Sequence, residues 1–330
     1  MKKIEDLIGG DFNGVVSVLQ NGEPIFKKAY GYADLPNRRP NNTDTIFEVA
    51  SGSKVFVATG IMKLIEEGKF SLESAIGELL DFNLKQISPE ITVRQLLNHT
   101  SGIPDYFDES VMDDMSELWA KFPCYLMRKP SDMIPTFVDK PMMYSPGEKF
   151  KYNNTGYCVL AMIIEKVTGM DFDNYLAKLI FEPCGMKSTG YYELDRLPAN
   201  CATAYIHDEE RNEYFTNFYS TNAKSDGAGG VYTTVDDIAN FWKYFLAGAI
   251  VCTETVKAMT SLQAFDDAED EEYGFGFWLD GDVPFFQGMD PGVSFMTRHQ
   301  SNGILTILMS NFCNNVWEIN NDIEDVLCES

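Results

Sequence analysis

The apolar positions of this chain change period several times, and each change predicts an element. Residues 13–32 place Val15-Val16-Ser17-Val18-Leu19 and Pro24-Ile25-Phe26 on either side of Asn21-Gly22. That pair tolerates the positive φ angles of a tight turn, so the segment reads as a β-hairpin. From 53 to 67, Val55, Phe56, Ala58, Ile61, Met62, Leu64 and Ile65 recur at helical spacing, and Gly68 ends the run. Helical patterns dominate 72–225, at 92–98, 112–127, 156–169 and 172–181, with loops rich in Pro, Gly and Tyr between them. Thr234 is placed to cap a further amphipathic helix to Leu246, with Asp236 and Asp237 favoured by its dipole. Strand patterns return at 274–279, 283–286, 293–298 and 304–309, and a last helix is expected over 316–328.

A terminal hairpin, a helical middle and a carboxyl-terminal meander predict an α+β fold. One antiparallel sheet is flanked by helices and carries an inserted all-helical lobe. We expect a single domain over 1–330, with a sheet lobe from 1–58 plus 225–330 and a mainly helical lobe from 59–224. The cleft between the lobes is the natural place for a site.

Composition narrows the partners. The 330 residues are 45% hydrophobic, and 26 basic against 50 acidic side chains give a formal charge of -24, which repels nucleic acid and anionic lipid. No stretch approaches the roughly 18 uninterrupted apolar residues of a membrane span. The start, Met1-Lys2-Lys3-Ile4-Glu5-Asp6, meets acidic residues before any signal-like apolar run, so a cytoplasmic chain is expected, although a removed signal leaves no trace. Nothing in the sequence specifies an oligomeric state. Seven cysteines (124, 158, 184, 201, 252, 313 and 328) and three widely separated histidines (99, 207 and 299) form neither a disulfide framework nor a metal pattern. Buried free thiols are expected, and no metal.

Ser51-Gly52-Ser53-Lys54 carries the chemistry, together with Tyr152-Asn153-Asn154, which holds the only Tyr-x-Asn of the chain. A Ser-x-x-Lys alone arises about once by chance at this length. Here a strand-like approach, Phe47-Glu48-Val49-Ala50, leads into a serine at a helix amino terminus, where backbone N–H groups favour a developing negative charge. Lys54 lies one turn deeper on the same face, where burial would loosen its hold on a proton. The pattern reads as acyl transfer by a serine nucleophile.

On these residues the chain resembles the serine β-lactamase and penicillin-binding-protein superfamily, in the branch of class C β-lactamases, D-alanyl-D-alanine carboxypeptidases and related esterases. Further segments carry the likeness in order: Leu96-Leu97-Asn98-His99-Thr100-Ser101-Gly102-Ile103-Pro104, Tyr144-Ser145-Pro146-Gly147, Glu182-Pro183-Cys184-Gly185-Met186 and Ala228-Gly229-Gly230-Val231. The resemblance implies Ser51 as nucleophile, Lys54 as its proton partner, Tyr152 as general base and later acid, and Asn154 as an anchor for the substrate amide or ester. It implies no metal or organic cofactor, and a small-molecule or peptide substrate. His99 is expected to be structural within its loop, and His207 and His299 to lie at the surface.

The third motif departs from the family pattern of Lys or His, a small residue, then Gly. Its best match is Phe286-Gln287-Gly288, followed by Met289. An aromatic ring in place of the cation removes a charge-assisted contact worth roughly 1.5–3 kcal/mol to a substrate carboxylate. Anionic β-lactams are therefore expected to be poorer ligands. The oxyanion hole, built from the backbone N–H groups of Ser51 and Met289, does not depend on the lost side chain. Phe286, Gln287, Gly288 and Met289 are the expected substrate-binding residues on this strand, and Arg298 is a candidate replacement for the charge. The leading expectation is a serine hydrolase of esters or amides. The alternatives are a β-lactamase or D,D-carboxypeptidase, and a catalytically silent binding module that keeps the cleft.

Overall fold

The structure, a computed structural model, describes residues 2–108, 111–112, 115–267 and 269–328. Its centre is an eight-stranded antiparallel sheet. The strands are β1 (Gly14–Gln20), β2 (Glu23–Tyr30), β3 (Ala264–Asp266), β4 (Glu271–Tyr273), β5 (Trp278–Asp280), β6 (Val283–Asp290), β7 (Val293–His299) and β8 (Ile304–Ser310). Their spatial order is β2-β1-β8-β7-β6-β5-β4-β3. The first hairpin turns on Asn21 (φ 52°) and Gly22 (φ 84°), as the sequence requires. The chain then leaves the sheet for more than two hundred residues, and β1 finds its second neighbour only in β8.

Alternation along the strands feeds two cores. Val15, Leu19, Phe286, Phe295, Ile307 and Met309 face the main core, which also holds the helices Lys54–Glu66 (α1), Asn154–Thr168 (α2) and Val235–Leu246 (α3). Val16, Val18, Met296 and Leu308 face the opposite side, beneath Val316–Cys328 (α4) and the short helix Lys2–Leu7. Both faces of the sheet are thus covered, as expected of an α+β fold with helices flanking one antiparallel sheet. Among the described residues no helix is long and apolar enough to cross a membrane.

Several expected elements differ in extent. The helix expected over 112–127 is present only as Ser116–Lys121 and a 3-10 turn at Cys124–Leu126, with residues 113 and 114 outside the described part. Pro123 disfavours helical backbone at the residue before it, and Phe122 is extended (φ -121°, ψ 99°). The strand expected over 274–279 is largely a turn: Gly276 has φ 86°, Gly274 N donates to Phe277 O at 2.8 Å, and pairing resumes at Trp278. A Cβ at 276 would stand 2.7 Å from Ala58 Cβ, so this turn lies directly against α1. The hairpin Tyr205–Asp208 with Glu213–Thr216 and the helix Thr253–Met259 were not legible in the pattern. Of the six described cysteines, all free, four are buried, but Cys252 and Cys313 are exposed, correcting the expectation of uniformly buried thiols.

Candidate active site

The nucleophile candidate sits where a short strand becomes a helix. Phe47–Glu48 pairs with Tyr232–Thr233, after which Ala50–Ser53 forms a 3-10 turn leading into α1. Ala50 is forced to φ 46°, a conformation that costs a residue with a Cβ about 1–2 kcal/mol. The turn is held from two sides. Ser53 Oγ donates to Ala50 O at 2.8 Å and accepts from Val231 N at 2.9 Å, and Val49 N donates to Val231 O at 3.0 Å. Ser53, hidden inside the Ser-x-x-Lys motif, is therefore the clamp that fixes the strained turn.

Lys54 is only 2% exposed, and its Nζ donates to Ser51 Oγ at 2.9 Å, Asn154 Oδ1 at 2.8 Å and Ala228 O at 2.7 Å. The same ammonium lies 4.8 Å from the centre of the Tyr152 ring. Ser51, Lys54, Tyr152 and Asn154 are thus brought together from segments a hundred residues apart. Since Lys54 takes the amide oxygen of Asn154, the NH2 end of that side chain is the one turned elsewhere. Trp278, unremarked in the sequence, stacks on Tyr152 at 5.5 Å with planes 16° apart and fixes the phenol ring.

The Tyr-x-Asn segment is seated by the loop that follows His99. Asn153 caps α2, accepting from Gly156 N at 2.8 Å, while its Nδ2 donates to Ile103 O at 2.8 Å. The buried Asp105 carboxylate accepts from Asn154 N at 2.9 Å and from Thr155 N and Oγ1 at 3.1 Å each. Burial raises the Asp105 carboxyl to about 6 despite these donors. His99 is fully enclosed among Phe150, Tyr152, Tyr157 and Tyr273, and its Nδ1 accepts from Asn153 N at 3.1 Å. Burial first, then the nearby Lys54 charge, lower its pKa well below the ordinary imidazole value, so the ring is neutral with its proton on Nε2. That is the structural role expected for it. His207 is exposed, whereas His299 is half-buried against Trp242.

A Beta-lactamase family model matches residues 2–315. The chain belongs to the β-lactamase family. A penicillin-binding protein of Bacillus subtilis (strain 168) is 29% identical over 318 residues, 91% of this chain and 68% of that one. The solved penicillin binding protein from Bacillus halodurans is 31% identical, covers 98% of this chain and 99% of that one, and superposes with a TM-score of 0.91. A D-amino acid amidase from Ochrobactrum anthropi SV3, 23% identical, covers 99% of this chain and 98% of that one at a TM-score of 0.80, and shares the fold.

Against the β-lactamase-family pattern, β6 separates its four expected binding residues. Phe286 is 2% exposed, packed among Phe56, Phe241, Trp242, Phe277 and Phe295, and does not reach the cleft. Gln287 points to the other face, where its Oε1 accepts from Trp317 Nε1 at 2.6 Å. Neither side chain contributes to the cleft, which corrects the expectation for both. Gly288 does: a Cβ there would stand 2.7 Å from Ser51 N and 2.4 Å from Val49 O, so only glycine lets the strand lie against the Ser51 turn. Met289 follows, exposed, on the cavity wall beside Ser51. Arg298 does not replace the missing cation, because it pairs with Glu324 at 3.1 Å and Asp280 at 3.3 Å, and Glu324 lies on α4, on the far face of the sheet.

Beside Ser51 a cavity of about 420 Å³ is walled by Tyr106, Phe107, Asn154, Asp226, Met289 and Asp290, among others. A second hollow of about 330 Å³ adjoins Tyr152 and shares the walls Phe107 and Asn154.

Proposed function

We propose that the protein is a serine hydrolase that forms an acyl-enzyme on Ser51 and acts on esters or amides, of the esterase or D-amino-acid peptidase type. The observation that carries the reading is Lys54 Nζ at 2.9 Å from Ser51 Oγ, with Asn154 Oδ1 and Ala228 O fixing the same nitrogen. Ser51 Oγ adds to the substrate carbonyl carbon as its proton passes to the deprotonated Tyr152 oxygen, whose charge the neighbouring Lys54 ammonium offsets. The oxyanion is held by the backbone N–H groups of Ser51 and Met289. Collapse breaks the bond to the alcohol or amine, which leaves with a proton from Tyr152, and water repeats the sequence on the acyl-enzyme to release the acid. Asn154 anchors the acyl side. Amide cleavage is compatible with a scaffold that also houses a D-amino acid amidase.

Penicillin-binding relatives favour a second reading, a β-lactamase or D,D-carboxypeptidase. Weighing against it, Phe286 is buried and Arg298 is engaged elsewhere. Hydrolysis of a chromogenic cephalosporin at a rate comparable to simple esters would establish it.

Intact mass after exposure to a fluorophosphonate, run beside Ser51→Ala, tests nucleophile activation without assuming a substrate. A single adduct that the variant lacks is expected. No adduct on the parent overturns the hydrolase reading in favour of a silent binding module.

A further inference from the structure

The two hollows that meet at Ser51 and Tyr152 share an unusual charge. Among the described residues lining the larger one, Asp226 and Asp290 are acidic and none is Lys, Arg or His. The smaller is lined by Asp105, Asp108, Asp266, Glu269 and Glu271, and its Lys151 is paired with Asp108 at 2.9 Å. Seven carboxyl side chains therefore face the cleft, against Lys54 and Lys151.

Asp226 is the built part of this wall. It is 2% exposed; Oδ1 accepts from Ala228 N at 2.9 Å, Oδ2 makes no close hydrogen bond among the described residues, and the Tyr106 hydroxyl and Lys54 stand near enough to favour the charged form. Burial raises the pKa of this carboxyl while the Ala228 N–H, Tyr106 and Lys54 oppose that rise, and the field of its ionised form in the adjoining space is screened less than in water. Asp290 stands on the same wall, its Oδ2 3.5 Å from where a Cβ of Gly229 would lie. Position 286, which carries a cation in the family pattern, holds a core phenylalanine.

We infer that the cleft selects substrates whose acyl portion carries a positively charged amine, lodged in the larger hollow against Asp226 and Asp290, and that it discriminates against acyl groups ending in a carboxylate. The assignment rests on the hydrolase reading for its kinetic consequence, but the binding preference stands independently of turnover. An ammonium placed there gains attraction from two carboxylates, while a carboxylate meets repulsion and desolvation with no cation among the described lining residues, the nearby Lys54 being engaged with Ser51, Asn154 and Ala228.

The test uses the full chain and three p-nitrophenyl esters of equal acyl length, ending in an ammonium, a methyl group or a carboxylate. The expected kcat/KM order is ammonium over methyl over carboxylate, with about ten-fold or more between the first two at low salt and less in 0.5 M NaCl. Asp226→Asn and Asp290→Asn should each shrink the ammonium-to-methyl ratio, and Asp290→Asn is read if the buried variant misfolds. A second arm titrates Ser51→Ala with an alkylammonium and an alkylcarboxylate of that length by calorimetry. Methyl or carboxylate esters preferred over ammonium, or tighter carboxylate binding by Ser51→Ala, overturn the inference. If no ester is turned over, the hydrolase reading fails while the calorimetric arm still decides the charge preference.

Discussion

Gly288 lies so close to the Ser51 turn that a methyl group on its Cα would stand 2.7 Å from the backbone nitrogen of Ser51. The neighbours it would strike are backbone atoms of Val49, Ser51 and Gly52, which cannot rotate away. Gly288→Ala should therefore push β6 off the turn, spoil the geometry of the two N–H groups proposed to hold the oxyanion, and lower kcat by a factor on the order of 10². Single-turnover acylation by a p-nitrophenyl ester, read beside the melting temperature, checks this; kcat within two-fold of the parent would show that Met289 N–H is not part of the hole.

Ser51→Ala should abolish turnover and leave the fold intact, because the side chain is partly exposed and its Oγ only accepts from Lys54. Lys54→Ala and Tyr152→Phe should each reduce the rate by a factor on the order of 10² or more. Steady-state kinetics with a neutral ester, beside circular dichroism, separates lost chemistry from lost structure. Turnover by Ser51→Ala near the parent rate would sink the acyl-enzyme.

Asp105 satisfies the first turn of α2 and so sets the position of Asn154. Removing it in Asp105→Ala leaves buried N–H donors without an acceptor, at a cost of about 2–3 kcal/mol. Chemical denaturation should show that loss, and the neutral-ester kcat should fall with it, because Asn154 Oδ1 also holds Lys54.

Burial, and then the carboxylate of Asp290, push the Glu48 carboxyl from 4.5 to about 8. The folded state thus keeps a proton that the unfolded chain releases, so stability falls as the pH rises from about 4.5 to about 8 and levels off above. Glu48→Gln, with no proton to lose, should flatten that decline. Melting temperatures at half-unit steps from pH 5 to 9 measure it, and parallel curves for parent and variant would refute the assignment.

Much of this molecule could be read from its sequence where the signal is local. The Asn21-Gly22 hairpin, the helix after Ser51, the Thr234 cap and the carboxyl-terminal strands each rest on a few adjacent residues. The reading failed where a distant contact decides: Gly276 bends the 274–279 run because α1 passes beneath it, and Trp278 becomes the support of Tyr152 through a 126-residue separation that no spacing reveals. The third motif shows both sides. The pattern Phe286-Gln287-Gly288 located the strand and its glycine. Strand alternation then sends Phe286 into the core and Gln287 to α4, which the motif match alone does not state.

The pairing of β1 with β8 has a consequence in time. The first hairpin is made nearly three hundred residues before the strand that flanks it, Ile304–Ser310. Until then β1 presents an open edge, and β6 and β7, which wall the serine turn, have yet to be made. Synthesis must therefore carry an unfinished sheet until the strands after residue 283 have been made, and the serine turn acquires its working environment only then.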